Sequence, residues 1–457
     1  MELVQRLFSR GLKEKLSYFG FVLSAILSGW LLVRFQVDAA LGLGIFLILV
    51  TIFIADIRLG MVVVVFGAPL LPLTQGFTTL FPGTSYSINL CGLVNVFIPL
   101  LSLLYLWLRL GTSRSLFLGR PIALFLGVAL LTFFVSDDRW ITLREWFRLA
   151  MPIMFYFLIL GSFRTQEELE KLRRALIYSA FIPLAFSLYQ ILHGEPDAIG
   201  FNRVYGTFAH PNGFACYLVV LMPLVALSYI RSWKIDQKAF YLGTFGLMFL
   251  SLVFTFTRVA WIAFVVSMMI LGWSKYRKFF FRLILVFLIV VLLLPSLGQM
   301  VTRRIQPDGS FYGRFSFNQF SLLLFSQKPI LGHGFGTYTA LSTSVFGEKV
   351  ERYGRVLGAA AHNDYLRTLA ETGAVGLFSL LVLFLAVFRT GRRLRRSGDG
   401  ELKLEALMLL AVLGAILVYG ITDSGLSYGG IFLWTLIALV EKEAILTEEK
   451  LKSLSHS

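Results

Sequence analysis

Long hydrophobic runs, separated by short polar segments, dominate the chain. The run 279–297, for example, exceeds the roughly ten-residue alternating segments typical of membrane barrel strands. A helix needs about 20 mostly apolar residues to cross a bilayer, and in lipid the backbone polar groups must pair internally. The pattern therefore predicts an all-α polytopic membrane protein. The fourteen predicted spans are 17–34, 38–55, 59–75, 88–108, 121–136, 149–162, 175–192, 212–230, 239–256, 259–273, 279–297, 374–389, 404–421 and 427–441.

Some span assignments remain open. The span 149–162 is a weak assignment, and the pair 239–256 and 259–273 is separated only by a break near Thr257 and Arg258. Twelve or thirteen spans are therefore alternatives to fourteen. The segment 211–213 begins the predicted span 212–230. Asn212 is the predicted helix cap there, since a short amide side chain can accept a hydrogen bond from the first turn.

Composition excludes an ordinary soluble fold. Apolar residues make up 57% of the chain and charged residues 15%, against about 45–50% and about 25% in soluble domains. The mean hydropathy is +0.76. Cys91 and Cys216 both lie in apolar runs, so we interpret them as small buried side chains. No disulfide framework is indicated.

The distribution of basic residues predicts the orientation of the bundle. Of the 42 Lys and Arg residues, 28 fall in the set of connecting segments that contains both termini. That set is predicted to be cytoplasmic. The predicted organisation is a bundle of about eleven spans over 1–297 with a cytoplasmic N-terminus, a large periplasmic loop over 298–373, and three last spans with a cytoplasmic tail over 374–457. Topology thus accounts for the net charge of +16, and nucleic-acid binding is not predicted.

The opposite, outer set of segments is rich in arginine. It holds 14 basic residues, of which 12 are Arg. Arginine has a planar fork that grips phosphate in two places, which lysine lacks. The excess indicates an anionic, phosphorylated ligand on this side; ion pairing with outer Asp and Glu, or compositional accident, is the alternative. Arg203, Arg258 and Arg314 stand out by placement, although Arg258 is equally explained by snorkelling to the interface.

Histidines in the same outer segments offer proton-transfer chemistry. His193, His210, His333 and His362 all fall there. His362 leads into an amphipathic segment just before a span, where a side chain can meet a lipid head group, so it is a candidate general base or orienting group. A helix-start histidine without a role in catalysis is the alternative. No His-x-x-x-His or Glu-x-x-His spacing occurs, so no metal site is predicted.

Three sequence elements resemble the O-antigen ligase and polymerase superfamily, whose members share a Wzy-type C-terminal domain. His362-Asn363, nine residues, Gly373, two residues and Gly376 fit the His-Asn/Ser/Gln-x9-Gly-x-x-Gly/Thr/Tyr signature of that family. The segment 256–261, with Thr257-Arg258, resembles its Thr-x-Ser-Arg span. Gly313-Arg314 and the segment 327–336 resemble the start of its large periplasmic loop. The likeness covers roughly residues 200–390.

The resemblance implies a GT-C-like membrane glycosyltransferase in the bacterial inner membrane, with its active site facing the periplasm. The implied donor is a glycan on undecaprenyl pyrophosphate, and the acceptor is lipid A–core or a second lipid-linked glycan. Transfer is implied to invert the anomeric centre without metal or cofactor. Arg258 and Arg314 are implied to neutralise the pyrophosphate, and His362 to deprotonate or orient the acceptor hydroxyl. Predicted substrate contacts are Arg203, Asn363, His210 and Tyr365.

Within this superfamily, ligase-type transfer is favoured over polymerase-type extension. A transporter of lipid-linked glycans or anions is the alternative from another class. Transport would require charged residues and broken helices at mid-membrane, whereas the polar residues here gather at the ends of the predicted spans.

Overall fold

The computed structural model describes residues 37–76, 90–108, 118–194, 203–272, 276–293, 309–350 and 361–455. Within these ranges the chain is helical and has no strand, which confirms the all-α prediction. The α-helices are α1 (Val37–Ala55), α2 (Ile57–Gly67), α3 (Leu90–Leu108), α4 (Gly119–Leu131), α5 (Arg139–Ser162), α6 (Gln166–Tyr178), α7 (Phe181–His193), α8 (Pro211–Arg231), α9 (Ile235–Phe254), α10 (Arg258–Gly272), α11 (Arg277–Leu293), α12 (Gly309–Gln327), α13 (Tyr338–Val350), α14 (Asp364–Arg395), α15 (Gly400–Thr422) and α16 (Gly425–Ser455).

The predicted spans overlap these helices, except 17–34, which lies outside the described residues. Five helical stretches in the described part are long and apolar enough to cross a membrane, and shorter apolar helices accompany them. The five are Gln166–His193, Pro211–Arg231, Ile235–Phe254, Asp364–Arg395 and Gly400–Thr422. The chain is a membrane protein, and its total number of spans stays a prediction.

One predicted connection is itself helical. The segment 137–148 was expected to link two spans, but α5 already begins at Arg139. The side chain of Asp138 accepts a hydrogen bond from the backbone N–H of Ile141 (2.9 Å) and starts the helix there. The predicted break near Thr257 and Arg258 is confirmed, since α9 ends at Phe254 and α10 begins at Arg258.

Helices α8 and α15 form the centre of the bundle. In the membrane-spanning stretch of α8, 89% of the residues are buried, and in that of α15, 72%. The corresponding value for the peripheral helix α9 is 33%. Helix α15 packs against α8, α10, α14 and α16. A helix with apolar residues on all of its faces is expected in such a central position. Clusters of polar groups lie at the two ends of the bundle. The His362 end is where α8, α10, α14 and α16 begin, and the Arg173 end is where Arg173 and Arg231 meet Glu405.

At the Arg173 end, a buried ion network joins four helices. The guanidinium of Arg173 donates to Glu405 and Glu443, each at 2.6 Å, and to Glu170 at 2.8 Å. Arg231 pairs with Glu405 and, at 2.6 Å, with Glu401. Buried charges persist only when they are paired, so this network fixes how α6, α8, α15 and α16 meet.

Helix α14 is kinked at Gly373, the first glycine of the family signature. Gly373 has φ 64° and ψ −167°, a conformation essentially restricted to glycine. A Cβ atom there would lie 2.2 Å from the carbonyl oxygen of Ile330. The N–H of Ala374 donates to the carbonyl of Pro329 at 2.8 Å. The kink thus separates the amphipathic stretch after His362 from the apolar stretch that follows.

His333 anchors the segment after α12 to the turn before α5. Its Nδ1 lies 2.6 Å from Asp137 Oδ2, and its Nε2 lies 3.0 Å from the carbonyl oxygen of Leu324. Lys328 also pairs with Asp137. Burial raises the pKa of Asp137, but the hydrogen bonds and charges of Lys328 and His333 outweigh it, so this pKa lies below its ordinary value. Both ring nitrogens of His333 have partners, which gives this histidine a structural role.

Candidate active site

His362 stands immediately before α14 in an unusual backbone conformation. Its φ is +45°, one of two positive values among non-glycine residues in the described chain. The next residue, Asn363, caps α14: its side-chain oxygen accepts from the backbone N–H groups of Tyr365 (3.0 Å) and Leu366 (2.9 Å). The His362 side chain is 23% exposed. Strained backbone of this kind is typical of functional positions, and the cap holds it in place.

Asp423, in the connection between α15 and α16, faces His362. The two approach at 3.5 Å, from Nδ1 of His362 to Oδ1 of Asp423. Asp423 is 1% exposed, and the N–H of Ser424 donates to its Oδ1 at 2.8 Å. Burial raises the pKa of Asp423, but His362 and the Ser424 N–H, together with the charge of Arg314, hold it below its ordinary value. Asp423 is therefore a carboxylate at neutral pH, placed to orient the imidazole.

Asn212 joins this carboxylate to Arg203. Its Nδ2 donates to Asp423 Oδ2, while its Oδ1 accepts from Arg203 Nη2 (3.1 Å) and from Thr257 Oγ1 (3.2 Å). Asn212 is 6% exposed and lies inside α8. The prediction that it caps the helix was wrong: His210 is the cap, because its extended backbone lets Nδ1 accept the Asn212 N–H at 3.1 Å.

His210 therefore contributes an acceptor nitrogen to its own helix. Partial burial of the ring and the positive charge of Arg203 both lower the pKa of His210. The neutral imidazole fits the hydrogen bond at Nδ1, since only an unprotonated nitrogen can accept.

Arg203 is held by protein groups on two sides. Its Nε donates to the carbonyl of Thr255 (3.0 Å), and its Nη2 also reaches Thr257 Oγ1 (3.3 Å). These contacts attach the segment before α8 to the turn between α9 and α10. In that turn Phe256 has the second positive φ, +51°. Arg203 was predicted as a phosphate contact. In the structure its guanidinium also binds Thr255 and Thr257, which fixes its position.

The two predicted pyrophosphate arginines lie around the same centre. Arg258 is exposed and is the first residue of α10, directly after Thr257. Arg314 is half-buried on α12, and its charge acts on both His210 and Asp423. The structure thus brings together Arg203, His210, Arg314 and His362, with Arg258 at the adjoining helix start.

Four helix N-termini converge at this centre. Helices α8, α10, α14 and α16 all begin here, tied by contacts of Asn212 with Thr257 and Asp423, and by the N–H of Leu426 donating to Asp364 Oδ2 at 2.9 Å. A helix N-terminus carries a partial positive charge, so it favours anions. Together with the arginines, the arrangement suits a phosphorylated ligand beside a histidine–carboxylate pair.

The remaining predicted substrate contacts, Asn363 and Tyr365, both make hydrogen bonds within the fold. The Asn363 side-chain oxygen is used in the α14 cap, and the Tyr365 hydroxyl donates to the carbonyl of Leu417 at 2.8 Å, which fastens α14 to α15. His193 ends α7, where its ring packs against Tyr189. Across the described ranges, no group of three His, Cys, Asp or Glu side chains has a metal-binding arrangement.

Sequence reasoning missed Asp423 and the bridging role of Asn212. The available signal for Asp423 was a lone acidic residue directly after the predicted span 404–421, on the same outer side as His362. Nothing in the sequence linked it to Asn212, because the two are 211 positions apart.

Part of the chain matches a known protein family. Residues 243–381 match the family model Wzy_C, described as O-Antigen ligase. The match confirms the resemblance to the O-antigen ligase and polymerase superfamily and supports a membrane enzyme of that kind. It includes Arg258, Arg314 and His362, whereas Asn212 and Asp423 lie outside it. A search of curated proteins found no match.

Proposed function

We propose that the protein is an O-antigen ligase-like glycosyltransferase that moves a glycan from undecaprenyl pyrophosphate to a hydroxyl of lipid A–core, at the periplasmic face of the bacterial inner membrane. The observation that carries the proposal is the His362–Asp423 pair beside Arg258 and Arg314, where four helix N-termini meet. The site combines a base with an anion-binding surface, and both are needed to displace a pyrophosphate.

The base in this mechanism is His362. Its Nδ1 faces the Asp423 carboxylate, which favours the tautomer with the proton on Nδ1 and directs Nε2 to the acceptor. Nε2 takes the proton of the acceptor hydroxyl as the oxygen attacks the anomeric carbon. The carbon–oxygen bond to pyrophosphate breaks, and its electron pair leaves with the pyrophosphate. Attack opposite the leaving group inverts the anomeric centre.

The leaving group is stabilised by fixed positive charge. Arg258 and Arg314, with the α10 N-terminus, face the developing charge on the pyrophosphate, and a fork of donors matches phosphate oxygens in pairs. Preorganised electrostatic stabilisation of this type is usually the largest catalytic contribution. Asn212 donates to the Asp423 carboxylate and is itself held by Arg203, so Arg203 helps to position the base in addition to its proposed phosphate contact.

The test is a transfer assay with purified protein in detergent and undecaprenyl-pyrophosphate glycan, run in parallel with and without EDTA. One reaction receives lipid A–core, and a second receives only additional lipid-linked repeat. We expect glycan on lipid A–core with the wild type and no product with His362→Ala. The matched control is His193→Ala, an exposed histidine at the end of α7, which should retain full activity.

Each other outcome rejects a defined part of the proposal. Lengthening lipid-linked chains in the second reaction would establish a polymerase. Full activity of a correctly folded His362→Ala variant would remove this residue from the mechanism. Loss of activity only in EDTA would replace metal-independent transfer by a metal-assisted one.

A further inference from the structure

A second site lies beside the catalytic centre, in a cavity of about 810 Å³ between α5, α14, α15 and α16. Its wall includes Ser424 and Ser427, from the segment that follows Asp423. His362, Asp423, Arg258 and Arg314 do not line it. The cavity is therefore a separate compartment, divided from the catalytic centre by the start of α16. Its volume is within the roughly 300–1,000 Å³ of ligand-binding pockets.

Most of the cavity wall is apolar. Leu383, Phe384, Leu409, Leu413, Trp434 and Ile437 line the part within the bundle. Lining residues on α14 extend from Arg367 to Val387. After the kink, the lining residues run from Leu380 to Val387, which corresponds to about 10 Å of helix at about 1.5 Å per residue. A compact metabolite would leave such a volume partly empty, whereas an alkyl or polyprenyl chain fills its length.

The end of the cavity nearest the catalytic centre is polar. Arg144, Arg148 and Arg367 line it together with Glu145 and Glu371. Arg148 and Arg144 both contact Glu145, at 3.5 Å and 3.2 Å. Three cations face two carboxylates, so this end favours an occupant that brings negative charge.

Two buried atoms at this polar end lack hydrogen-bond partners. They are Oε2 of Glu371, which is 2% exposed, and Nε of Arg367. The other Glu371 oxygen accepts the N–H of Tyr338 at 3.2 Å. Unsatisfied buried groups are costly, so they point to a partner that offers both an acceptor and a donor. A phosphate supplies the acceptor, and a sugar hydroxyl supplies the donor.

We propose that this cavity binds a phosphorylated glycolipid, with its sugar phosphate at Arg144, Arg148, Arg367 and Glu371 and one hydrocarbon chain along α14. Resting on the proposed function, we assign this lipid as the acceptor of the transfer reaction. The donor pyrophosphate then occupies the separate arginine site around His362. The acceptor glycan reaches His362 past Ser424, so the two lipids approach the base from opposite sides of the start of α16.

Binding is measured without catalysis, by native mass spectrometry of the full-length protein in detergent. Lipid A is titrated in one arm, undecaprenyl phosphate in the second and phosphatidylglycerol in the third. Leu383→Trp fills the apolar part. Its matched control is Leu381→Trp, on the same helix but 48% exposed and outside the cavity. Arg148→Gln alters the polar end, and its control is Arg139→Gln, an exposed arginine on the same helix that does not line the cavity.

We expect lipid A to bind most tightly, with an affinity reduced at least about tenfold by Leu383→Trp and by Arg148→Gln and unchanged in both controls. Arg148 is exposed, so Arg148→Gln keeps the test valid if Leu383→Trp fails to fold. His362→Ala should bind lipid A as the wild type does. This separates the present inference from the proposed function, which fails if the wild type binds lipid A but transfers nothing to it.

Three results would overturn the inference. The first is lipid A affinity that is equal in the wild type and in folded cavity variants. The second is cavity-dependent binding of undecaprenyl phosphate alone, which would assign the cavity to the donor. The third is binding of phosphatidylglycerol as tight as that of lipid A, which would make it a site for bulk lipid.

Discussion

His362 Nδ1 lies 3.5 Å from Oδ1 of Asp423, and Asn212 donates to the other oxygen of the same carboxylate. The pair comes from two different helix connections, and each residue is fixed by its own neighbours: Asn363 caps the helix after His362, and the Ser424 N–H binds Asp423. The distance is slightly longer than an ordinary hydrogen bond, as is common for catalytic groups before substrate binds.

Asp423→Asn should lower kcat about 10²-fold or more, the range of a positioned acid–base group. The amide retains the shape of the side chain but removes the charge that stabilises the imidazolium formed in the transition state. The KM for the donor should change little, since Asp423 does not contact the pyrophosphate. Initial rates against donor concentration test this, with Asp399→Asn, the cap at the opposite end of α15, as the control. A wild-type kcat would show that Asp423 does not assist His362.

Arg258→Lys should reduce kcat/KM about 10²-fold, comparable with the loss of one donor to a developing anion. Lysine keeps the charge but cannot bind two phosphate oxygens with a planar fork. The measurement is the rate with undecaprenyl-pyrophosphate glycan below KM. Arg277→Lys is the matched control, because Arg277 is the exposed first residue of α11. Equal rates for the two variants would make Arg258 an interface anchor.

Gly373→Ala should destabilise the protein by about 1–3 kcal/mol from the backbone conformation alone, because the φ and ψ of this residue fall in a region essentially confined to glycine. The added methyl would also meet the Ile330 carbonyl at 2.2 Å. Thermal unfolding in detergent measures the change. In Gly243→Ala the methyl group has open space, and stability should be unchanged or slightly higher. An unchanged melting temperature for Gly373→Ala would argue against the kink.

Asp137→Asn should lower the melting temperature at neutral pH, and the deficit should shrink in acid. The folded pKa of Asp137 is depressed, so the unfolded state takes up the proton first as the pH falls. The stabilisation is therefore complete above the unfolded pKa of about 3.9, declines below it, and is lost once the pH passes the lower folded pKa. Melting curves from pH 7 to pH 3 test this, with the neighbouring Asp138→Asn as the control, since asparagine also caps helices well. A deficit that does not vary with pH would contradict the ion pair.

Arg173→Met should cost about 3–5 kcal/mol, the usual penalty for removing one partner of a buried ion pair. Glu405 would be left buried with only Arg231, and Glu443 would lose its 2.6 Å contact. The adjacent Arg174→Met removes only an exposed contact with Glu170 and should be nearly neutral. Thermal unfolding of the two variants tests this prediction. Equal stability of Arg173→Met and Arg174→Met would mean that the buried network makes no net contribution to the free energy of unfolding.

The sequence was sufficient for the helical bundle and for most of the side chains of the candidate site. Hydrophobic runs locate the helices because a membrane helix is apolar along its whole length. The break at 255–257 was visible as an interruption of these runs. His362, Arg258 and Arg314 were singled out by residue type and placement, and their predicted roles came from the family resemblance. Asp423 and Asn212 were not, since side-chain contacts over such separations leave no local pattern. Asn212 looked like a cap because His210 is an uncommon residue in that position.

The buried network at the Arg173 end has a consequence for biosynthesis. Arg173 is made long before Glu405 and Glu443, which lie 232 and 270 positions later in the chain. During translation the newly inserted α6 therefore carries a cation that has Glu170 beside it but still lacks Glu405 and Glu443. The helix cannot settle into its final position until α15 and α16 arrive. Asp423 lies between those same two helices, so the enzyme becomes competent only in the last step of its assembly.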